Sequence, residues 1–169
     1  MKTWFTSGLN FGSHDLFFGQ FSPRQGLDYA PIIVNKINNS LAKTDILIIV
    51  GDVIDTPESA GWLSSIVCSN IFVIPSEKDN RNSLYIKPFV TFLEDGVVVE
   101  TGKQKNIICY YNELDCCDMC HNNDSFVGVC GSPFNEWLYK ENMVNVTVDL
   151  WRYAPVEMNN LLKFMENKK

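Results

Sequence analysis

The sequence is poor in histidine: in 169 residues only His14 and His121 carry an imidazole. Little is therefore available of the side chain most used for proton transfer near neutral pH and for transition-metal ligation. Basic residues are also in deficit, 14 Lys and Arg against 20 Asp and Glu, for a net charge of −6. An acidic chain repels phosphate backbones and anionic lipid surfaces, which argues against nucleic-acid and membrane partners. No apolar run approaches the roughly 18 residues of a membrane-spanning helix. No internal repeat and no linker rich in Gly, Pro or Ser divides the chain, so residues 1–169 are expected to form one domain. The opening Met1-Lys2-Thr3-Trp4-Phe5 turns polar at Thr6-Ser7 without the apolar core of an export signal, and a cytoplasmic location is expected. There the six cysteines would be thiols or metal ligands, not disulfides.

Hydrophobic residues make up 46% of the chain and charged residues 20%, which supports a packed core and disfavours disorder or a coiled coil. Residues 3–6 read as a strand, and the Gly- and Phe-rich stretch 8–26 as a loop. Residues 29–41 fit a helix, with Pro31 in its first turn and Ile33, Ile37 and Leu41 on one face. Ile46 to Val50 is an unbroken aliphatic run, as expected of a strand covered on both faces, and Gly51-Asp52 follows its end. Further helices are expected at 57–67, 82–94 and 155–166, and further strands at 71–74, 97–99, 107–111, 126–129 and 144–150. Helices and strands alternate early and strands dominate later, the pattern of α/β layers around mixed sheets.

Cys116-Cys117-Asp118-Met119-Cys120-His121 is the densest group of soft ligands. Cys117, Cys120 and His121 are zinc candidates, with Cys116 and either Cys109 or Cys130 as further ligands, but a single C-x-x-C lacks the second half of a structural zinc site. Its literal haem-attachment spelling needs export. Free thiols in a loop between strands are the simpler reading, with Cys68 and Cys130 as apolar fillers. Gly8-x-x-x-Gly12 is not a phosphate loop, since no Gly-Lys-Ser/Thr follows.

Trp4-Phe5-Thr6-Ser7-Gly8-Leu9-Asn10-Phe11-Gly12 resembles the opening of small bacterial and phage calcineurin-like metallophosphoesterases, W-F-T-S-D-x-H-F-G-H. Asp45-Ile46-Leu47 through Gly51-Asp52-Val53 is similar to that family's strand ending in G-D. Ile74 to Asp79 falls where the family carries G-N-H-D, Ile108 to Tyr111 where it carries L-S-H-Y, and Cys130 to Phe134 where it carries G-H-x-H. Asn145 to Val156 is similar to its closing strand and turn. The resemblance implies an αββα sandwich, two mixed β-sheets face to face with helices outside. It also implies a site where two metal ions clamp a phosphate ester and a metal-bound hydroxide attacks phosphorus.

Most ligand positions implied by the resemblance carry other residues here. The first Asp is Gly8 and the first His is Asn10; the His of F-G-H is Ser13, with His14 one place along. The Asn and His of G-N-H-D are Glu77 and Lys78; the later histidines are Tyr110, Ser132 and Phe134. The bridging carboxylate, Asp52, is retained, with Asp79 beside it. Gly and Phe offer no donor atom, and a serine hydroxyl is a weak ligand. The expectation is a catalytically inactive metallophosphoesterase-like pseudoenzyme that binds a protein partner as an inhibitor or adaptor. Small relatives occur in phages, so the chain could be phage-encoded and host-directed, acting in the host cytoplasm. One rival is a phosphodiesterase with a rearranged single-ion site, in which Asp52 and Glu77, with Asp15 and His14, hold Mg or Mn. The other is a nucleotide-sequestering protein using Lys78, Arg81 and Lys87.

Overall fold

The computed structural model describes residues 1–13, 24, 29–112, 115–116, 120, 123–131 and 138–167. Two five-stranded sheets, both mixed, form its centre. The first runs β10-β1-β2-β3-β4, from strands β1 (Thr3–Thr6), β2 (Ile46–Val50), β3 (Asn70–Ile74), β4 (Thr91–Phe92) and β10 (Val156–Glu157). Strands β1 to β4 are parallel neighbours and β10 lies antiparallel on β1. The second runs β5-β6-β7-β9-β8, from β5 (Val97–Val99), β6 (Asn106–Tyr110), β7 (Phe126–Cys130), β8 (Tyr139–Lys140) and β9 (Met143–Asn145). Here β6, β7 and β9 are parallel, and β5 and β8 are antiparallel edges.

Period-two alternation assigns each aliphatic side chain to a layer. In β2, Leu47 and Ile49 point to the outer face of the first sheet, where they meet Ile33 and Ile37 of helix α1 (Ala30–Ser40). The same layer takes Leu63 of the short helix α2 (Gly61–Ser64) and Ile86 of another short helix, which makes the helices a cover for this sheet. Ile48 and Val50 point the other way, onto Ile107, Cys109, Val127, Val129 and Val144 of the second sheet. The unbroken run at 46–50 thus serves two cores, as expected for a strand with no solvent face. A third, smaller cluster lies on the outer face of the second sheet, where Ile108, Cys130 and Met143 meet Cys116 and Cys120. The final helix, Met158–Glu166, inserts Leu161, Leu162 and Met165 into the layer between the sheets.

Several expected elements are shorter than the sequence suggests. The helix expected at 82–94 is two short helices, α3 (Glu77–Arg81) and α4 (Ser83–Ile86), followed by β4. Pro88 cannot donate a helical hydrogen bond, and the chain beyond it pairs with β3 through Phe72 and Thr91. Residues 57–67 hold a 3₁₀ turn, Pro57–Ala60, and then α2. The strand expected at 144–150 ends at Asn145, and Val148–Trp151 is a 3₁₀ turn. The closing helix is preceded by β10, so it begins at Met158 and is here named α5. No helix among the described residues is long and apolar enough to cross a membrane.

Candidate functional site

The carboxyl ends of β1, β2, β3 and β7 meet at one rim of the sandwich, and the loops leaving them build the site. The two sheets are stitched together here. The Val148 N–H, just beyond β9, donates to the carbonyl of Ser7, just beyond β1, at 3.0 Å, and Ser7 Oγ donates to the Val50 carbonyl of the neighbouring strand β2 at 2.6 Å. Gly131 lies against this stitch: a Cβ there would stand 1.9 Å from Ser7 Oγ and 2.2 Å from the Val50 carbonyl, so only glycine fits.

Asp79 organises the rim. Ser76 caps α3 in a reciprocal capping box, its hydroxyl accepting from the Asp79 N–H while the Asp79 carboxylate takes the Ser76 N–H. The same carboxylate accepts the N–H groups of Asp52 (2.8 Å) and Val53 (2.9 Å). Fully buried, it satisfies four donors: three backbone N–H groups and the Ser76 hydroxyl. It thereby fixes the turn Gly51-Asp52, where both residues have positive φ, 71° and 56°. Gly51 suits this conformation and also leaves room for the Tyr111 ring, 2.2 Å from where its Cβ would be.

Asp52, 5% exposed, points its carboxylate at the Tyr111 hydroxyl, which donates to it at 3.3 and 3.4 Å. Burial raises the Asp52 carboxyl above the usual carboxylate range, the nearby Asp79 charge adds to this, and the Lys78 ammonium opposes it. Burial and the Asp52 charge push the Tyr111 phenol well above its ordinary value, so it remains a donor. Lys78, on the first turn of α3, reaches across the rim. Its Nζ donates to Asn10 Oδ1 at 3.0 Å and to Asp55 Oδ1 at 2.8 Å. Asn10 is itself 3% exposed with φ 44°.

The structure thus brings together Gly8, Asn10, Asp52, Lys78 and Asp79 of the residues singled out from sequence. Gly8 joins through its N–H, which donates to the Gly51 carbonyl at 3.3 Å. Ser13 lies just beyond, its N–H on the Asn10 carbonyl. Glu77 is exposed in the first turn of α3. Tyr110 does not join them: it packs with the outer cluster of the second sheet, its hydroxyl beside Gly96, and its neighbour Tyr111 occupies the rim. Strand alternation explains this, since Cys109 faces inward and Tyr110 must face outward. His14, Asp15, Ser132 and Phe134 lie outside the described residues, as do Cys117 and His121. Of the three cations considered for a nucleotide site, Lys78 is engaged with Asp55, Arg81 is exposed, and Lys87 lies over the Phe92 ring.

Sequence reading missed Asp55, Tyr111 and a buried ion pair. The Arg24 guanidinium, 3% exposed, grips Asp149 through two hydrogen bonds of 2.8 and 2.7 Å. Its other N–H groups donate to the carbonyls of Leu9 and Gly8, pinning the loop after β1. The S-x-x-D spacing of Ser76 and Asp79 was a readable capping signal; nothing in the sequence marks the pairing of Arg24 with a residue 125 positions away.

The residues that would hold a metal pair do not fit one. Gly8 has no donor atom, Asn10 Oδ1 and Asp55 Oδ1 are turned to an ammonium, and the Asp79 carboxylate is saturated by N–H and O–H donors. Among the described residues, no three His, Cys, Asp or Glu side chains converge as a metal-binding group. Cys68, Cys109, Cys116, Cys120 and Cys130 are buried free thiols. The hydrogen bond with Cys116 and burial push the Cys120 thiol far above its ordinary value. A cavity of about 220 Å³ lies elsewhere, at the amino-terminal ends of β6 and β7 beside α5, lined by Lys103, Lys105, Val127, Leu162 and Met165 among others.

No family model matches the chain, and no curated protein matches it. Among solved structures, it is similar to the crystal structure of a protein of unknown function from Aquifex aeolicus. The TM-score is 0.73 at 16% identity, covering 96% of this chain and 98% of that one. At that identity the likeness speaks for the fold alone: a mixed α/β protein with two mixed sheets flanked by helices.

Proposed function

We propose that this chain is a metallophosphoesterase-like αββα sandwich that has given up catalysis and works as a protein-binding inhibitor or adaptor. The order of the sequence blocks supports the fold reading: each of the described ones ends a strand at the same rim. The observation that carries the loss of catalysis is the destination of the polar groups at that rim. Asn10 and Asp55 converge on the Lys78 ammonium, while the Asp52 carboxylate beside them accepts from the Tyr111 hydroxyl. A single buried carboxylate whose proton affinity is raised by burial is a poor seat for two divalent ions, and without them no hydroxide is activated. With the Lys78 cation paired to Asp55 and the Asp52 carboxylate nearby, the rim suits a protein segment better than a phosphate ester. The resembled family has small phage members, which makes a host-directed role, in the host cytoplasm, the natural setting.

Two measurements test this. With Mn²⁺ or Mg²⁺ and a generic phosphodiester such as bis(p-nitrophenyl) phosphate, the protein should show no turnover above the metal blank. Turnover that disappears in Asp52→Ala would establish a rearranged enzyme instead. Affinity capture from host lysate should retain a stoichiometric protein.

A further inference from the structure

We propose that the Lys78 ammonium is the resident cation of this rim, a side chain occupying the seat of a metal ion, and that it excludes divalent cations from an oxygen site formed by Asn10, Asp52 and Asp55. The proposal rests on the reading of the rim as metal-free and names the residue that keeps it so. Three observations support it. First, among the described residues Lys78 Nζ is held by two oxygens, Asn10 Oδ1 at 3.0 Å and Asp55 Oδ1 at 2.8 Å. Its charge is also felt by Asp52. A carbonyl-type oxygen and a carboxylate at one positive centre are donor types that hold a hard cation.

Second, the ammonium dictates the pose of Asn10. With Oδ1 turned to Lys78, Asn10 Nδ2 is left buried with no hydrogen-bond partner among the described residues. Turning the amide over would set its NH₂ against the ammonium, so the contact with Lys78 outweighs an unmet donor. Third, the arrangement is rigidly built. The Asp79 carboxylate fixes the first turn of α3, from which Lys78 projects, and also the Asp52 turn opposite. One buried group thus sets both the helical turn that carries Lys78 and the turn that carries Asp52.

Neutralising Lys78 leaves the Asp55 carboxylate and the Asn10 amide oxygen without their cation, close to the Asp52 turn, and a divalent ion with its remaining waters restores the balance. The test is calorimetric titration with MnCl₂ of the wild-type chain, Lys78→Met, Lys78→Arg and the double variant Lys78→Met/Asp55→Asn. Lys78→Met should bind one Mn²⁺ at least tenfold more tightly than wild type, Lys78→Arg should match wild type, and the double variant should lose the gain. Should Lys78→Met not fold, Lys78→Gln, a polar side chain without the charge, carries the same expectation. Equal Mn²⁺ affinity in wild type and the neutral variants overturns the proposal. Phosphodiester turnover by the wild-type chain bears on the inactivity of the rim, and the affinity difference between wild type and Lys78→Met bears on Lys78, so the two readings fail separately.

Discussion

Asp79 shows how much one side chain can decide. Its carboxylate is fully buried and takes the N–H groups of Ser76, Asp52 and Val53 and the Ser76 hydroxyl. Asp79→Ala leaves those donors unmet in a site closed to water, at a cost of about 3 kcal/mol or more in urea denaturation. Gly131 decides as much by having no side chain. Gly131→Ala drives a methyl group into Ser7 Oγ and the Val50 carbonyl, and a loss of about 3 kcal/mol is expected in the same experiment. Asp52 behaves in the opposite sense. Its carboxyl is raised by burial, so at neutral pH the fold carries the penalty of the ionised form. Asp52→Asn should therefore raise the melting temperature near pH 7. The gain should shrink as pH falls through the raised folded-state value and vanish below the ordinary carboxylate range, where Asp52 is protonated whether folded or unfolded. Scanning calorimetry across pH 3 to 8 reads both the sign and the trend.

At the scale of elements, the contrast between α1 and the 76–86 segment is instructive. Helix α1 has Pro in its first turn and Ile33 and Ile37 one turn apart, so local rules suffice to place it. The 76–86 segment mixes a capping box with an apolar pattern too short to sustain one helix, and its break between α3 and α4 follows from what each piece packs against. Ile86 goes to the outer core of the first sheet, whereas Lys78 and Asp79 go to the rim. Helix α5 is amphipathic enough to be read from sequence, yet its destination is not: Leu161 and Leu162 enter the layer between the sheets. Leu161→Ala removes a fully buried side chain from that layer and should cost about 2–5 kcal/mol. Asp45 ties the loop before β2 to β1, accepting the N–H groups of Ala42 and Lys2 and the Trp4 indole N–H. Those backbone hydrogen bonds, Ala42 first, hold its carboxyl below the usual range. Its contribution is present above the ordinary carboxylate value and is lost as pH falls through the lowered one, the reverse of Asp52.

At the scale of the whole molecule, the two sheets share one apolar layer and are joined at the rim by the Val148–Ser7 hydrogen bond and the close approach of Gly131 to Ser7 and Val50. The sequence by itself determined the aliphatic strands, the early alternation of helix and strand, and the scarcity of imidazoles. These depend on local period, propensity and residue type, which a linear chain displays directly. It also displayed Asp52 after its strand, because a Gly-Asp pair ending a buried run is a local signal. Only the tertiary structure decided that Lys78 meets Asn10 and Asp55, that Tyr111 and not Tyr110 faces Asp52, and that Arg24 is buried on Asp149. Each of these joins groups from separate strands or loops, and long-range pairing leaves no mark in sequence because its geometry is set by how the sheets twist and stack, not by the spacing of residues along the chain.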